Sequence, residues 1–338
     1  MTCLGHQHDC LMFDLDGTVF RGSRPTEGAV EVLAQLRGRA LFITNNASRS
    51  PAEVAEHMRV LGFSVNADDI ITSGQSAVRL LAAELPTGAA VLVVGTDALA
   101  DDVRKAGLRP VRAYSDRPAA VVQGHSPNTC WSDLAEAALA LHEGARWVVT
   151  NGDVNFPTDR GLVPGNGSMV AALRTATGAI PEVVGKPAPA MLRDALARAE
   201  SRSPLVIGDR LDTDIAGAEA AGLPSMLVLS GVSTARDVVH ARLGHRPTYV
   251  AQDLRGLNDP SAVLRIAPQR RWRVDIGADM VTVRSCGDDT DRGGLSVVRA
   301  TAHAVWAADL SGRTPKIGAG DDTARKALER WSLVSCSS

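Results

Sequence analysis

The chain has 338 residues, a net charge of −2, and apolar and charged fractions of 45% and 22%. That length accommodates two or three domains with a substantial core. Acidic and basic residues are interspersed and no lysine or arginine tract stands out, so charge gives no case for nucleic acid or an anionic membrane surface as a partner.

No apolar run approaches the roughly 20 residues needed to span a bilayer, and "MTCLGHQHDC" lacks the basic and apolar regions of a secretory signal. No membrane association is expected, and the expected compartment is the cytoplasm. Five cysteines without a C-x-x-C pair fit free thiols in a reducing compartment. Cys3, His6, His8 and Cys10 form a compact cluster of metal-competent side chains. The reading preferred over a metal site is a flexible terminus, which offers no scaffold to hold such ligands.

In chain order, Leu11, Met12 and Phe13 read as a buried strand over residues 10–14. The strand ends in Asp14 and Asp16, two carboxylates that are costly to desolvate unless something pairs with them. Thr26 opens an amphipathic segment in which Val30, Leu33 and Leu36 share a face until Gly38. Strands follow at 40–44 and 70–73. Between them, "SPAE" at 50–53 offers an N-cap serine, a proline at the first helical position and a capping-box glutamate, with the helix closing before Gly62.

From about residue 80 to 184 runs a second series of strand-like segments, "AVLVVG", "AAVVQG" and "RWVVTNG", separated by helical stretches such as 131–142. The first series resumes with "VVGKPAP" and "PLVIGDRLDTDIAGAEAAG", giving strands at 205–208 and 226–229. This alternation is that of β-α-β units and a parallel sheet. The expected fold is α/β: a Rossmann-like, doubly wound parallel-sheet core over 1–79 and 185–259, interrupted by an α/β domain at 80–184. Residues 260–338 read as a small α+β module, with a hairpin in "RRWRVDIGADMVTVRSC" and helices at 295–310 and 323–333. It carries Trp272, Trp306 and Trp331, and at its size should lean on the rest of the protein.

Four segments place polar groups at strand ends or a helix start. Asp14 and Asp16 follow the first strand, Thr44, Asn45 and Asn46 the second, Lys186 opens a helix, and Asp209 and Asp214 follow "PLVIG". Ligands of open parallel sheets bind beyond the carboxyl ends of the strands, so all four are expected to converge. Taken singly, the aspartates could cap helices, "TNN" could be a turn and Lys186 a solvated lysine. Other glycine-rich stretches do not compete. Pro187 stands where a P-loop needs serine or threonine, and "PGNGS" at 164–168 and "GAGDDT" at 318–323 read as loop geometry.

Together, "DLDGT", "FITNNAS", "VVGKPAP" and "GDRLDTDI" resemble the four motifs of the haloacid dehalogenase superfamily of phosphatases. The insertion containing "VVTNGDVNFPTDRGLVPGNGS" is similar to the large α/β cap of its NagD-type, phosphoglycolate, pyridoxal-phosphate and glycerol-phosphate phosphatase subfamily. The resemblance covers residues 9 to 258. It implies that Asp14 attacks phosphorus to form an aspartyl-phosphate, and that Asp16 protonates the leaving alkoxide and then activates water. It implies that the Thr44 hydroxyl and the Asn45 amide hold the phosphoryl oxygens while Lys186 neutralises their charge. It also implies Mg²⁺, bound by Asp14, Asp209 and the Asp16 carbonyl, with Asp214 orienting a coordinated water. Dehalogenases of this fold lack the second aspartate, so Asp16 argues for phosphoester chemistry.

A cap over the site would exclude water and read the leaving group. Asn151 and Asp153 in "TNGDVNFP", and Asn46 from the core side, are the candidates for substrate contact. For Asn151 and Asp153 the alternative is an Asx-turn network that merely holds the loop. A small phosphorylated metabolite is the expected substrate, glycerol 3-phosphate ahead of phosphoglycolate, with pyridoxal phosphate, sugar phosphates and nucleotides as alternatives. Relatives of this kind often dimerise through the cap, which implies a homodimer. The rival readings are a non-catalytic phosphometabolite sensor and a bifunctional hydrolase and acyltransferase.

Overall fold

The apolar run that opens the chain forms the strand Cys10–Phe13, and all four of its residues are buried, as befits a parallel strand covered on both faces. The computed structural model describes residues 2–158, 160–277, 280–287, 294–308 and 315–334. Leu310, the expected end of a C-terminal helix, and Cys336 lie outside the described residues. The chain divides into two compact units, residues 1–40 with 199–338, and residues 41–198.

In the first unit, Cys10–Phe13 pairs in parallel with Pro204–Gly208, which pairs with Ser225–Val228, which pairs with Tyr249–Ala251. Register is direct: Cys10 faces Pro204 and Phe13 faces Ile207. A short antiparallel hairpin, Phe20–Arg21 with Arg24–Pro25, follows the first strand. Thr26 does not open the next helix. Its hydroxyl instead donates to the Thr18 and Val19 carbonyls beneath the hairpin, and Ala29–Ala34 begins after Gly28, which takes a left-handed φ of 71°. Ala29 and Val32 are the buried residues of that helix, while Val30, Leu33 and Leu36 are half-buried.

The N-terminal residues are packed rather than free, contrary to the flexible-terminus reading. Leu4 is buried and its N–H donates to the Asp259 carbonyl at 2.8 Å, while Cys3 bridges to Pro260. Among the described residues, Cys3, His6, His8 and Cys10 do not bring three ligand atoms together. His8 Nδ1 lies 3.2 Å from the Ser203 carbonyl, and burial pushes the Cys10 thiol up to about 11.

Residues after 260 form the antiparallel pair Trp272–Ile276 and Met280–Ser285, joined in parallel by Lys316–Ala319. That third strand, unforeseen in the sequence, takes up the first two residues of "GAGDDT". Asp321 in the same stretch caps Asp322–Arg330 by accepting from the Ala324 N–H at 2.8 Å. The helix Ser296–Ala307 packs in one continuous apolar cluster with Leu211, Ile215, Leu227, Val238 and Val250. Each of the three tryptophans finds a partner for its indole N–H: Trp272 on Ser296 Oγ, Trp306 on the Val238 carbonyl and Trp331 on the Gly294 carbonyl.

In the second unit, Thr44 at the end of Arg39–Thr44 is opposite Thr72 of the parallel strand Ile70–Thr72. Pro51–Val60 has the expected capping box between Ser50 and Glu53. A five-stranded parallel sheet runs in the order Glu182–Val183, Arg146–Val149, Ala120–Gln123, Ala90–Val94, Arg109–Val111. Apolar clusters cover both its faces. The helix Trp131–His142 has the bounds read from the sequence. Gly165 and Gly167 in "PGNGS" are required by close approach, because a Cβ on either would overlap the carbonyl of Asp153 or Gly152. Among the described residues no helix is long and apolar enough to cross a membrane.

Candidate active site

The ladder delivers Asp14 to the carboxyl end of its strand, where its N–H donates to the Ile207 carbonyl at 2.8 Å. Asp209 follows the neighbouring strand, and Asp214 lies in the π-helical turn Leu211–Ile215. Such turns recur at functional sites because they re-aim a side chain within a helix. One carboxylate oxygen from each of Asp14, Asp209 and Asp214 lies within 4.8 Å of the others. Asp209 and Asp214 are buried, and Asp14 is half-buried.

Three glycines make room for this cluster. A Cβ at Gly17 or Gly231 would collide with the Asp209 carboxylate, and one at Gly208 would collide with Asp214. Backbone amides orient the acids: Val232 N–H donates to Asp209 Oδ2 at 2.6 Å, and Arg210 N–H to Asp214 Oδ2 at 3.1 Å. Asp16 is exposed, in a turn where Gly17 N–H donates to the Phe20 carbonyl, and its carboxylate is outside the three-acid group. Buried acids so close together repel strongly unless a cation sits among them. Hard oxygen donors at this spacing fit Mg²⁺.

In the second unit, Lys186 is not the first residue of a helix. It occupies the turn before Ala190–Ala199 and is only 3% exposed, its Nζ donating to the Ile43 carbonyl at 3.2 Å. Asn45 holds that turn with both halves of its amide. Lys186 N–H donates to Asn45 Oδ1 at 2.8 Å, and Asn45 Nδ2 donates to the Lys186 carbonyl at 2.9 Å. The Asn45 carbonyl in turn accepts from Asn151 Nδ2 at 2.7 Å and Ser73 Oγ at 2.6 Å. The Thr44 hydroxyl accepts from Asn46 N–H at 3.1 Å.

The side-chain oxygens of Asn46 and Asn151 make Asx turns. Asn46 Oδ1 accepts from Ser48 N–H and Oγ, and Asn151 Oδ1 accepts from Asp153 N–H at 3.2 Å. Asp153 Oδ2 accepts from Asn45 Nδ2 at 3.3 Å, so Asn45, Asn151, Asp153 and Lys186 belong to one network. Sequence reasoning missed Ser73 and Asn166, whose Nδ2 donates to the Asn151 carbonyl, and residues 230–233 beside Asp209. The glycine in "SGVST" was the available signal for the last of these.

The haloacid dehalogenase-like hydrolase model matches residues 11–109, and the HAD-hydrolase-like model matches residues 183–257. Residues 269–333 match a GCN5-related N-acetyltransferase like domain. The chain is 58% identical to a D-glycerol 3-phosphate phosphatase of Mycobacterium tuberculosis, over 99% of this chain and 97% of that one. It is 32% identical to an acid sugar phosphatase of Staphylococcus saprophyticus, over 72% and 94%. Among solved structures it is similar to the glycerol phosphate phosphatase from M. tuberculosis in complex with magnesium, with a TM-score of 0.95 and 58% identity over 99% of this chain and 100% of that one. It is also similar to a p-nitrophenyl phosphatase from Archaeoglobus fulgidus, with a TM-score of 0.68 and 31% identity over 74% and 98%. The chain therefore belongs to the haloacid dehalogenase-like hydrolases and is a phosphatase of that family.

Proposed function

We propose that the chain hydrolyses small phosphate monoesters with Mg²⁺ as cofactor, and that its substrate is glycerol 3-phosphate. The observation that carries the reading is the three-carboxylate cluster of Asp14, Asp209 and Asp214. The substrate rests on the 58% identity to the D-glycerol 3-phosphate phosphatase. Mg²⁺, held by Asp14, Asp209 and the Asp16 carbonyl with Asp214 on a coordinated water, would offset repulsion between the acids and the phosphate and stabilise transition-state charge.

Asp14 supplies the nucleophilic oxygen. An Asp14–phosphorus bond forms as the bond from phosphorus to the glycerol oxygen breaks, and Asp16 gives its proton to the departing alkoxide. Asp16 then takes a proton from water, which attacks the aspartyl-phosphate and releases inorganic phosphate. Its exposure suits a group that must exchange protons with solvent. Thr44 Oγ1 and the Asn45 N–H hold phosphoryl oxygens, and the Lys186 ammonium balances their charge. The Asn45 clamp on both main-chain groups of Lys186 supports that role by fixing where the ammonium stem begins.

In this reading residues 1–79 and 185–259 are the catalytic core, 80–184 the cap and 260–338 a C-terminal module. Of the three residues expected to read the leaving group, Asp153 is retained as a contact. Asn46 and Asn151 stay candidates beside it, their Oδ1 atoms accepting within their own loops and Asn151 Nδ2 donating to the Asn45 carbonyl. The exposed apolar side chains Trp131, Leu162 and Ile180 support a homodimer through the cap, and the free thiols of Cys3, Cys10, Cys130 and Cys286 support a cytoplasmic location.

Phosphate release from a panel of phosphorylated metabolites, with and without Mg²⁺, tests the proposal. Glycerol 3-phosphate should be turned over fastest, only with the metal present. Asp14→Asn should lower kcat by about 10³-fold or more, since no other group can form the covalent intermediate. Unchanged turnover in that variant would remove the nucleophile assignment.

A further inference from the structure

Residues 230–233 have no role in the chemistry above, yet they press on one of its acids. Val232 N–H donates to Asp209 Oδ2 at 2.6 Å, and Ser233 N–H donates to the Asp209 carbonyl at 3.0 Å. Ser233 Oγ accepts from Leu211 N–H at 3.1 Å, at the start of the turn that bears Asp214. Gly231 is packed so closely that any Cβ would overlap the Asp209 carboxylate. The segment therefore sets which way Asp209 points.

Two further ties hold the start of the segment. The Ser230 hydroxyl donates to the Gly17 carbonyl at 2.9 Å, in the turn that follows Asp16. Arg21, exposed on the hairpin strand Phe20–Arg21, donates from Nη2 to the carbonyls of Ser230 and Gly231, the latter at 2.9 Å. An arginine has donors only, so one guanidinium nitrogen suits a junction of two carbonyls.

We propose that Arg21 and Ser230 are positioning residues for the metal ligand Asp209, acting through the 230–233 segment. The inference rests on the metal site of the proposed function. Rotation of Asp209 away from its ligating orientation breaks the Val232 bond, and the ties to the hairpin and to Gly17 help to keep the segment where that bond forms. Removing an outer partner of a ligand typically lowers metal affinity about 10- to 100-fold.

The test is calorimetric titration of Mg²⁺ into the full chain and its Arg21→Ala, Ser230→Ala and Arg21→Lys variants, with thermal melts in chelator and kcat measured at saturating Mg²⁺. The expected result is a Kd for Mg²⁺ raised about tenfold in both alanine variants and partly restored by Arg21→Lys. Metal-free melting and kcat at saturating Mg²⁺ should stay close to wild type. Two results would overturn the inference: wild-type Mg²⁺ affinity in the alanine variants, or a lost affinity matched by a lower metal-free melting temperature. If the wild-type chain bound no Mg²⁺, the metal reading itself would fail, an outcome distinct from wild-type binding that the variants leave unchanged.

Discussion

At the scale of single residues, the three-acid cluster is built as much by small backbone positions as by its carboxylates. Gly208→Ala should abolish Mg²⁺ binding in a titration, because the new Cβ would collide with Asp214. Asn45→Ala frees both main-chain groups of Lys186. It should lower kcat/KM by about 10- to 100-fold, the loss of one or two hydrogen bonds to a charged group's support, while Mg²⁺ affinity is kept. Away from the site, Asp9 accepts from Ser201 Oγ, Arg202 N–H and Ser203 N–H, which hold its carboxyl below the usual range. A carboxylate depressed on folding stabilises the native state above its unfolded pKa of about 4 and loses that contribution as pH falls through the lower native value. The melting temperature of Asp9→Asn should therefore depend less on pH below about 4 than that of wild type. Asp14, Asp209 and Asp214 are legible in the sequence because carboxylates at strand ends need a reason. Val232 is not legible, since its contribution is a main-chain N–H that any residue but proline would supply. Asn151 could be read only as an alternative, because an asparagine amide serves a ligand and a turn equally well.

At the scale of elements, caps and apolar runs carried most of the information. The strands Cys10–Phe13 and Ile70–Thr72 lie within a residue of the expected bounds, and Trp131–His142 matches them. The capping box at Ser50 and Glu53 forms with both of its bonds. Ser50→Ala should lower stability by about 1 kcal/mol in denaturant unfolding and leave turnover unchanged. Two expectations failed for one reason: a residue placed to start a helix can have its side chain or its main chain claimed by another partner. Thr26 serves the hairpin above it, and Lys186 is held by Asn45 in the turn ahead of its helix. The strand Lys316–Ala319 was missed because two glycines within "KIGAG" hide its apolar pattern.

At the scale of the whole molecule, the C-terminal residues share a core with the segment that bears Asp214. Leu211 and Ile215, which flank Asp214, lie in one apolar cluster with Val298, Val305 and Leu328. Arg299, 2% exposed within the same unit, donates to the Val250 carbonyl at 3.0 Å. Leu328→Ala should therefore cost about 2–5 kcal/mol and lower the main melting transition, rather than a minor one of its own. The similarity of residues 269–333 to an acetyltransferase-like domain supplies no acyl-transfer step to the mechanism, and acetyl-CoA binding that disappears when those residues are removed would give it one. The central claim is that the acids meeting at the strand ends require a divalent ion. Mg²⁺ titrated calorimetrically into wild type and Asp209→Asn tests it most directly. The account predicts one ion bound per wild-type chain and none in the variant, and equal binding by both would contradict it.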